Sequence, residues 1–145
     1  MPAIVSWPKE IKRPTVSDAL VSQIDWFASL AALTGSRLPE GSAPDSYDDL
    51  DAWLGKSDEG RPWVIEQALN KALSVRTKEW KYIEPSEGPA IMQFEKIETG
   101  YSQEPQLYDM TKTYESDNQA MQHPDVVYRL QGVLKGVRDQ RLKLK

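Results

Sequence analysis

The sequence contains no cysteine and only one histidine, His123. Without cysteine the chain has no disulfide framework, no thiolate zinc site and no cysteine nucleophile, and the redox state of its compartment stays open. With one histidine there is no His–His metal pair, and a Ser-His-Asp triad would depend on His123 alone. Because Pro124 follows it, His123 is better placed at the entry to a helix than in a catalytic site.

Long apolar runs are also missing from the sequence. No segment approaches about 18 consecutive apolar residues, and the N-terminal stretch MPAIVSWPKEIKRP lacks a basic region followed by a long apolar one. We therefore expect neither a membrane span nor an export signal in the sequence as written, and the localisation stays open. The formal net charge of -4 gives no general attraction to nucleic acid or anionic lipid.

The sequence has no recognisable phosphate or metal motif either. Its glycine-containing loops lack the spacing of a phosphate-binding loop. An acidic cluster lacks the D-x-[DN]-x-[DN]-G pattern of a calcium loop, so it predicts a capped and solvated helix start; its members are Asp45, Asp48, Asp49 and Asp51. The residues alone therefore identify no catalytic and no metal-binding residue.

Apolar residues at helical spacing predict three helices. The first lies in LVSQIDWFASLAALTG, with Ser22 or Asp25 as its cap and Gly35 as its left-handed end. The second is the short YDDLDAWLG segment, ending at Gly55. The third is an amphipathic C-terminal helix that starts at Pro124.

The rest of the chain predicts short strands. Ala3–Trp7 has the pattern of a strand buried on both faces, and further strands are predicted in WVIEQALN, KALSVRT, WKYIEP and QLYDM. Residues 86–105 fit either one more strand or an inserted loop. The order predicts an α+β fold, in which a small antiparallel sheet of about four strands packs on the C-terminal helix. The strand–helix piece in front does not obviously belong to that sheet.

Five phrases, taken in order, carry a resemblance to a known family. They are PAIVSWPKEIKRPTVSDALVSQIDWFASLAALTG, DDLDAWLGK, SVRTKEWKYIEP, QLYDM and ESDNQAMQHPDVVYRLQGVL. Together they resemble the C-terminal portion of a formylglycine-dependent sulfatase of the arylsulfatase type. The family equivalents are a strand ending in Trp-Pro, an Asp-led helix closing with Gly, a Val-Arg-x-x-x-Trp-Lys hairpin, a Leu-Tyr-Asp strand, and Asn-x-Ala before His-Pro. The resemblance covers about residues 2–138.

The resemblance implies an alkaline-phosphatase-like fold with a large α/β domain and a smaller sheet subdomain. Residues 1–40 would then be a strand–helix remnant of the large domain, and residues 41–145 the C-terminal subdomain. For the complete enzyme it implies calcium and a formylglycine made from a Cys/Ser-x-Pro-Ser-Arg motif. The family places these groups upstream of the phrase matched by Pro2–Trp7, and this sequence lacks the motif. We therefore expect no cofactor in this chain, and no family catalytic or metal residue carries over to it.

Two classes of function follow. In the first, the chain is the C-terminal fragment of a sulfuric ester hydrolase and is inactive alone, while a sulfated glycan or aryl sulfate would be a substrate only of the complete enzyme. In the second, it is a non-catalytic module that self-associates through the exposed Ala3–Trp7 strand as a homo-oligomer, or that binds sulfated glycan. A basic and aromatic ligand surface is predicted at Arg76, Lys78, Trp80 and Lys81, with ordinary hairpin packing as the alternative.

Overall fold

A computed structural model describes residues 3–68, 71–112 and 115–143. The chain divides into two compact units, Met1–Val64 and Ile65–Lys145. The resemblance places a different boundary, after residue 40, between a remnant of the large domain and the C-terminal subdomain. That boundary stays a prediction. The α+β class and the four-stranded sheet with a C-terminal helix are confirmed.

The first unit contains two helices. A single 3-10 turn, Gln23–Asp25, leads into α1 (Trp26–Thr34), and α2 (Leu50–Trp53) follows. Gly35 ends α1 in the left-handed conformation, with φ 64°, and this confirms the predicted helix end. The Asp25 carboxylate accepts the backbone N–H of Ser22 at 3.0 Å, and this contact caps the 3-10 turn that precedes α1.

The predicted strand at Ala3–Trp7 is wrong. Within the described ranges these residues belong to no strand, and Ile4 is 95% exposed. The chain turns at Trp7, whose carbonyl accepts the amides of Glu10 and Ile11 at 2.9 and 2.8 Å. A strand buried on both faces needs a paired neighbour, and an apolar run cannot supply one by itself. Of the predicted strand–helix piece, the helix is present and the strand is not formed.

The sheet has the order β1-β2-β3-β4. Its strands are β1 (Val64–Gln67), β2 (Leu73–Arg76), β3 (Trp80–Ile83) and β4 (Gln106–Asp109), and α3 (Pro124–Lys143) closes the chain. The pairs β2–β3 and β3–β4 are antiparallel. Among the described ranges, no helix is long and apolar enough to cross a membrane.

The core of the second unit lies between the sheet and α3. Val75, Tyr82 and Leu107 are aligned across β2, β3 and β4 and are at most 1% exposed. From α3, Leu130 and Leu134 are 2% exposed. The α3 side chain of Gln131 donates to the Tyr82 hydroxyl at 3.1 Å. The amphipathic pattern after Pro124 thus predicted the buried face of α3 correctly.

Residues 86–105 form a loop with one isolated bridge, Ile91↔Glu98. The loop exposes Ile91, Phe94 and Ile97. Of the two alternatives, an inserted loop describes this segment.

Candidate functional site

The predicted ligand surface lies at the β2–β3 hairpin. Arg76 and Lys81 are directly paired across the two strands, so their side chains lie on the same face of the sheet. The turn between them is closed by Thr77, whose backbone N–H donates to the Trp80 carbonyl at 2.8 Å. Lys78 lies in this turn and is exposed.

The charge of Lys81 is compensated within the second unit. Its Nζ lies 2.8 Å from Oε1 of Glu115 and 3.3 Å from Oε2 of Glu66. Burial by itself lowers the pKa of Lys81, but the hydrogen bond to Glu115 and the charge of Glu66 raise that pKa above its ordinary value. Lys81 is therefore an ordered cation whose partners are two carboxylates.

The Arg76 guanidinium is half-buried and is bound to backbone. Its Nη1 donates to the carbonyls of Thr77 and Lys78. Burial lowers the pKa of Arg76 from its ordinary value, and the charges of Glu66 and Glu115 oppose this change. Arg76 therefore stabilises the hairpin turn, and part of its donor capacity is already used.

Trp80 lies on the opposite face of the sheet from Arg76 and Lys81. It precedes Lys81 on β3, and successive strand residues point to opposite faces. Its ring packs against His123 with the ring centroids 5.0 Å apart. His123 lies directly before α3, where the sequence predicted it. The structure thus brings together Arg76 and Lys81, with Lys78 exposed in the turn between their strands, and ligand binding at this surface stays a prediction.

A buried ionic cluster in the first unit was not found from the sequence. The Asp25 carboxylate is 0% exposed, accepts the backbone N–H of Tyr47 at 2.9 Å, and lies 3.3 Å from Nη1 of Arg61. We name Asp25, Asp49 and Arg61 the Asp–Arg cluster. Asp25 and Arg61 are far apart in sequence, so no local pattern signals the pair.

Arg61 holds several segments of the first unit together. Its Nη2 donates to the Asp45 carbonyl at 3.1 Å, and its backbone N–H donates to the Leu20 carbonyl at 2.7 Å. The guanidinium also lies over the Tyr47 ring, 4.4 Å from its centroid. One side chain therefore fixes the loop before α2 against the segment that enters α1.

Asp49 does not fit the predicted solvated helix start. It does precede α2, but only 9% of it is exposed. Burial, followed by the charge of Asp25, raises the pKa of Asp49 to about 6. Its Oδ2 atom has no hydrogen-bond partner among the described residues. A carboxyl in this position retains its proton more readily than an ordinary aspartate.

The residues described here offer no metal centre. Within residues 3–68, 71–112 and 115–143 there is no group of three or more His, Cys, Asp or Glu that could hold an ion. In the Asp–Arg cluster the ion pair joins Asp25 to the Arg61 guanidinium. The described residues therefore do not fit the calcium and formylglycine that the resemblance implies for a complete enzyme, and we assign neither group to them.

The first unit exposes large apolar side chains on α1 and on the 3-10 turn that precedes it. We name this surface the α1 apolar face; its members are Ile24, Trp26, Phe27, Leu30 and Leu33, each between 38% and 54% exposed. The buried residues of α1 are Ser29 and Ala31, which are small. A helix normally buries its large apolar side chains. This arrangement is typical of a helix that contributes to an interface.

No protein-family profile matches the chain. In sequence it is 47% identical over 139 residues to an N-acetylgalactosamine-6-O-sulfatase of Bacteroides thetaiotaomicron. That match covers 95% of this chain and 27% of the sulfatase. It is also similar to a solved structure from work on the metabolism of multiple glycosaminoglycans by B. thetaiotaomicron, with a TM-score of 0.86 and 46% identity. The structural match covers 92% of this chain and 28% of the solved one.

Proposed function

We propose that this chain, which matches a C-terminal portion of a sulfatase in sequence and in fold, is the C-terminal subdomain of a sulfuric ester hydrolase. The carrying observation is 47% identity over 95% of the chain. The relative's name specifies the 6-O-sulfate of N-acetylgalactosamine. We propose the same class of substrate, a 6-O-sulfated amino sugar of a glycan, for the complete enzyme.

The proposed role is to support catalysis rather than to perform it. Cleaving a sulfate ester needs a nucleophile, positive charge around the transferring oxygens and an acid for the leaving group. This sequence has no cysteine and no Ser-x-Pro-Ser-Arg motif. The hairpin cation Lys81 is paired with two carboxylates. We therefore propose that the chain alone is inactive.

The α1 apolar face supports docking to the catalytic portion. The chain corresponds to 27% of the relative's length, so most of a sulfatase lies outside the matched region. Burying apolar surface contributes about 25 cal/mol per Å². The exposed Trp26, Phe27 and Leu30 are a suitable surface for such burial. We propose that the catalytic portion covers this face.

A chimera tests the proposed function. The part of the B. thetaiotaomicron sulfatase that precedes the matched region is joined to this chain, and sulfate release from 6-O-sulfated N-acetylgalactosamine is measured with calcium present. We expect release by the chimera and none by this chain alone or by the preceding part alone. Turnover by the isolated chain would contradict its supporting role. A folded chimera without activity would contradict the proposed equivalence of the two C-terminal portions.

Phe27→Lys in the chimera tests the docking face. Phe27 is 54% exposed, so the isolated variant should keep its stability within about 0.5 kcal/mol. In the chimera the ammonium would be buried without a partner, and we expect sulfate release to fall at least about tenfold. The matched control is Tyr128→Lys, because Tyr128 is an 80% exposed aromatic residue on α3. Equal activities of the two variants would exclude α1 as the docking face.

A second candidate function, self-association, is favoured by the same face. The predicted homo-oligomer would no longer depend on a strand at residues 3–7, because that strand is not formed. Two copies would instead bury Phe27 and Leu30 against each other. Light scattering of the isolated chain distinguishes the candidates: a dimer that Phe27→Lys converts to a monomer supports self-association, and a monomer at all concentrations excludes it.

A further inference from the structure

The Asp–Arg cluster contains two carboxyl groups and one cation, all of them buried. Asp25, Arg61 and Asp49 are 0%, 7% and 9% exposed. The Asp25–Arg61 ion pair uses the only cation that faces Asp49 among the described residues. If both carboxyls are ionised, one buried negative charge has no partner, which is unfavourable in a region of low polarity.

The cluster lies where the loop before α2 attaches to α1. The backbone N–H of Tyr47 donates to Asp25 Oδ1 at 2.9 Å, and that of Asp49 donates to Ser29 Oγ at 3.0 Å. Next to them, the N–H of Ala28 donates to Ser46 Oγ at 3.0 Å. Asp25 Oδ1 thus takes part both in the ion pair with Arg61 and in the attachment of Tyr47, and the Asp49 backbone is fixed to α1 beside the Asp49 carboxyl.

We propose that the Asp–Arg cluster is a proton-dependent latch, in which a proton on Asp49 holds residues 45–49 on α1 and loss of that proton loosens them. The proton removes the surplus negative charge. It also gives the Asp49 side chain, whose buried Oδ2 has no hydrogen-bond partner among the described residues, a donor of its own. This inference concerns the first unit alone and does not depend on the proposed function.

The charged groups around Asp49 favour the protonated form. The charges of Asp25 and Asp48 both disfavour a negative charge on Asp49. The charge of Arg61, which follows α2, favours it. Burial acts in the same direction as the two aspartates and is the largest contribution to the raised pKa of Asp49. A pKa raised from 3.8 to about 6 means that the folded unit binds this proton about 100-fold more tightly than the unfolded chain.

The sign of the pH dependence follows from this difference. Between about pH 4 and pH 6 the folded unit carries the Asp49 proton while the unfolded chain has lost it. The stability that Asp49 contributes is therefore complete below about pH 4 and falls as the pH rises to about 6. Above that, both states lack the proton, and Asp49 causes no further change.

Hydrogen exchange of the full chain tests the latch. The protection factors of the Tyr47 and Asp49 amides, corrected for intrinsic exchange, are measured from about pH 4.5 to about pH 7.5. We expect protection in the native protein to fall by about 30-fold across this range, which is most of the change that pKa values of 3.8 in the unfolded chain and about 6 in the folded unit allow. In Asp49→Asn the side chain is neutral at every pH and retains a donor, so protection should stay high and nearly constant.

Asp58→Asn is the matched control, because Asp58 is an exposed aspartate of the same unit. Its profile should follow that of the native protein. Unchanged pH dependence in Asp49→Asn would overturn the latch. Direct titration of the Asp49 carboxyl by carbon NMR supplies a second measurement that does not need a variant: a midpoint near 4 overturns the proposal, and one near 6 supports it.

Discussion

Arg61→Met is expected to destabilise the first unit by about 3–5 kcal/mol, because it leaves the Asp25 carboxylate buried without its cation. Asp25 is completely buried, and Arg61 Nη1 lies 3.3 Å from its Oδ1. The Asp45 carbonyl would also lose its donor at 3.1 Å. Methionine fills similar space, so the loss reports on the removed charge and hydrogen bonds rather than on a cavity. Urea unfolding followed by tryptophan fluorescence measures the change in the free energy of unfolding.

Two further variants separate this effect from general damage. Lys112→Met removes the 75% exposed partner of the Asp109 carboxylate, which keeps its two hydrogen bonds from Thr111, so we expect a loss of less than about 1 kcal/mol. Adding Asp25→Asn to Arg61→Met removes the stranded charge and should recover part of the loss. A loss below about 1 kcal/mol in Arg61→Met would show that Asp25 does not depend on the guanidinium.

Leu107→Ala is expected to destabilise the second unit by about 2–5 kcal/mol. Leu107 lies on β4 opposite Tyr82, and none of its surface is exposed. Removing three carbon atoms loses burial energy and leaves a cavity that the sheet and α3 cannot fully close. Urea unfolding followed by circular dichroism of the helix and sheet measures the change.

Ile97→Ala is the control for the core variant. Ile97 is 61% exposed in the loop of residues 86–105, so the change in stability should stay within about 0.5 kcal/mol. Equal losses in the two variants would mean that β4 does not occupy the centre of the core.

Elements with a strong local signal were predictable from the sequence. The β2–β3 hairpin follows from alternating Val75, Trp80 and Tyr82, and α3 follows from apolar residues at intervals of three and four. Ala3–Trp7 has an equally clear local pattern and yet forms no strand, because the pairing of a strand is decided elsewhere in the chain. Local patterns thus predicted helices and hairpins better than an isolated strand.

The ion pairs of the candidate site were harder to predict because the two residues of each pair are distant in sequence. Period-two alternation already places Trp80 and Lys81 on opposite faces, so the separation of the predicted surface was foreseeable. The carboxylates that compensate Lys81, Glu66 and Glu115, lie outside the hairpin, and no spacing rule connects them to it. The same holds for Asp25 and Arg61.

In the proposed self-association, the α1 apolar face links the folding of the first unit to mass action. A partner that binds only the folded state adds RT ln(1 + [partner]/Kd) to its stability, about 2.7 kcal/mol at a concentration of 100 Kd. The melting temperature of the first unit should then rise with the concentration of whatever covers Phe27 and Leu30. Substitutions on this face would hardly change the free energy of unfolding of the isolated chain, but they would strongly destabilise the assembly. Selection on the residues of α1 would therefore act through the partner.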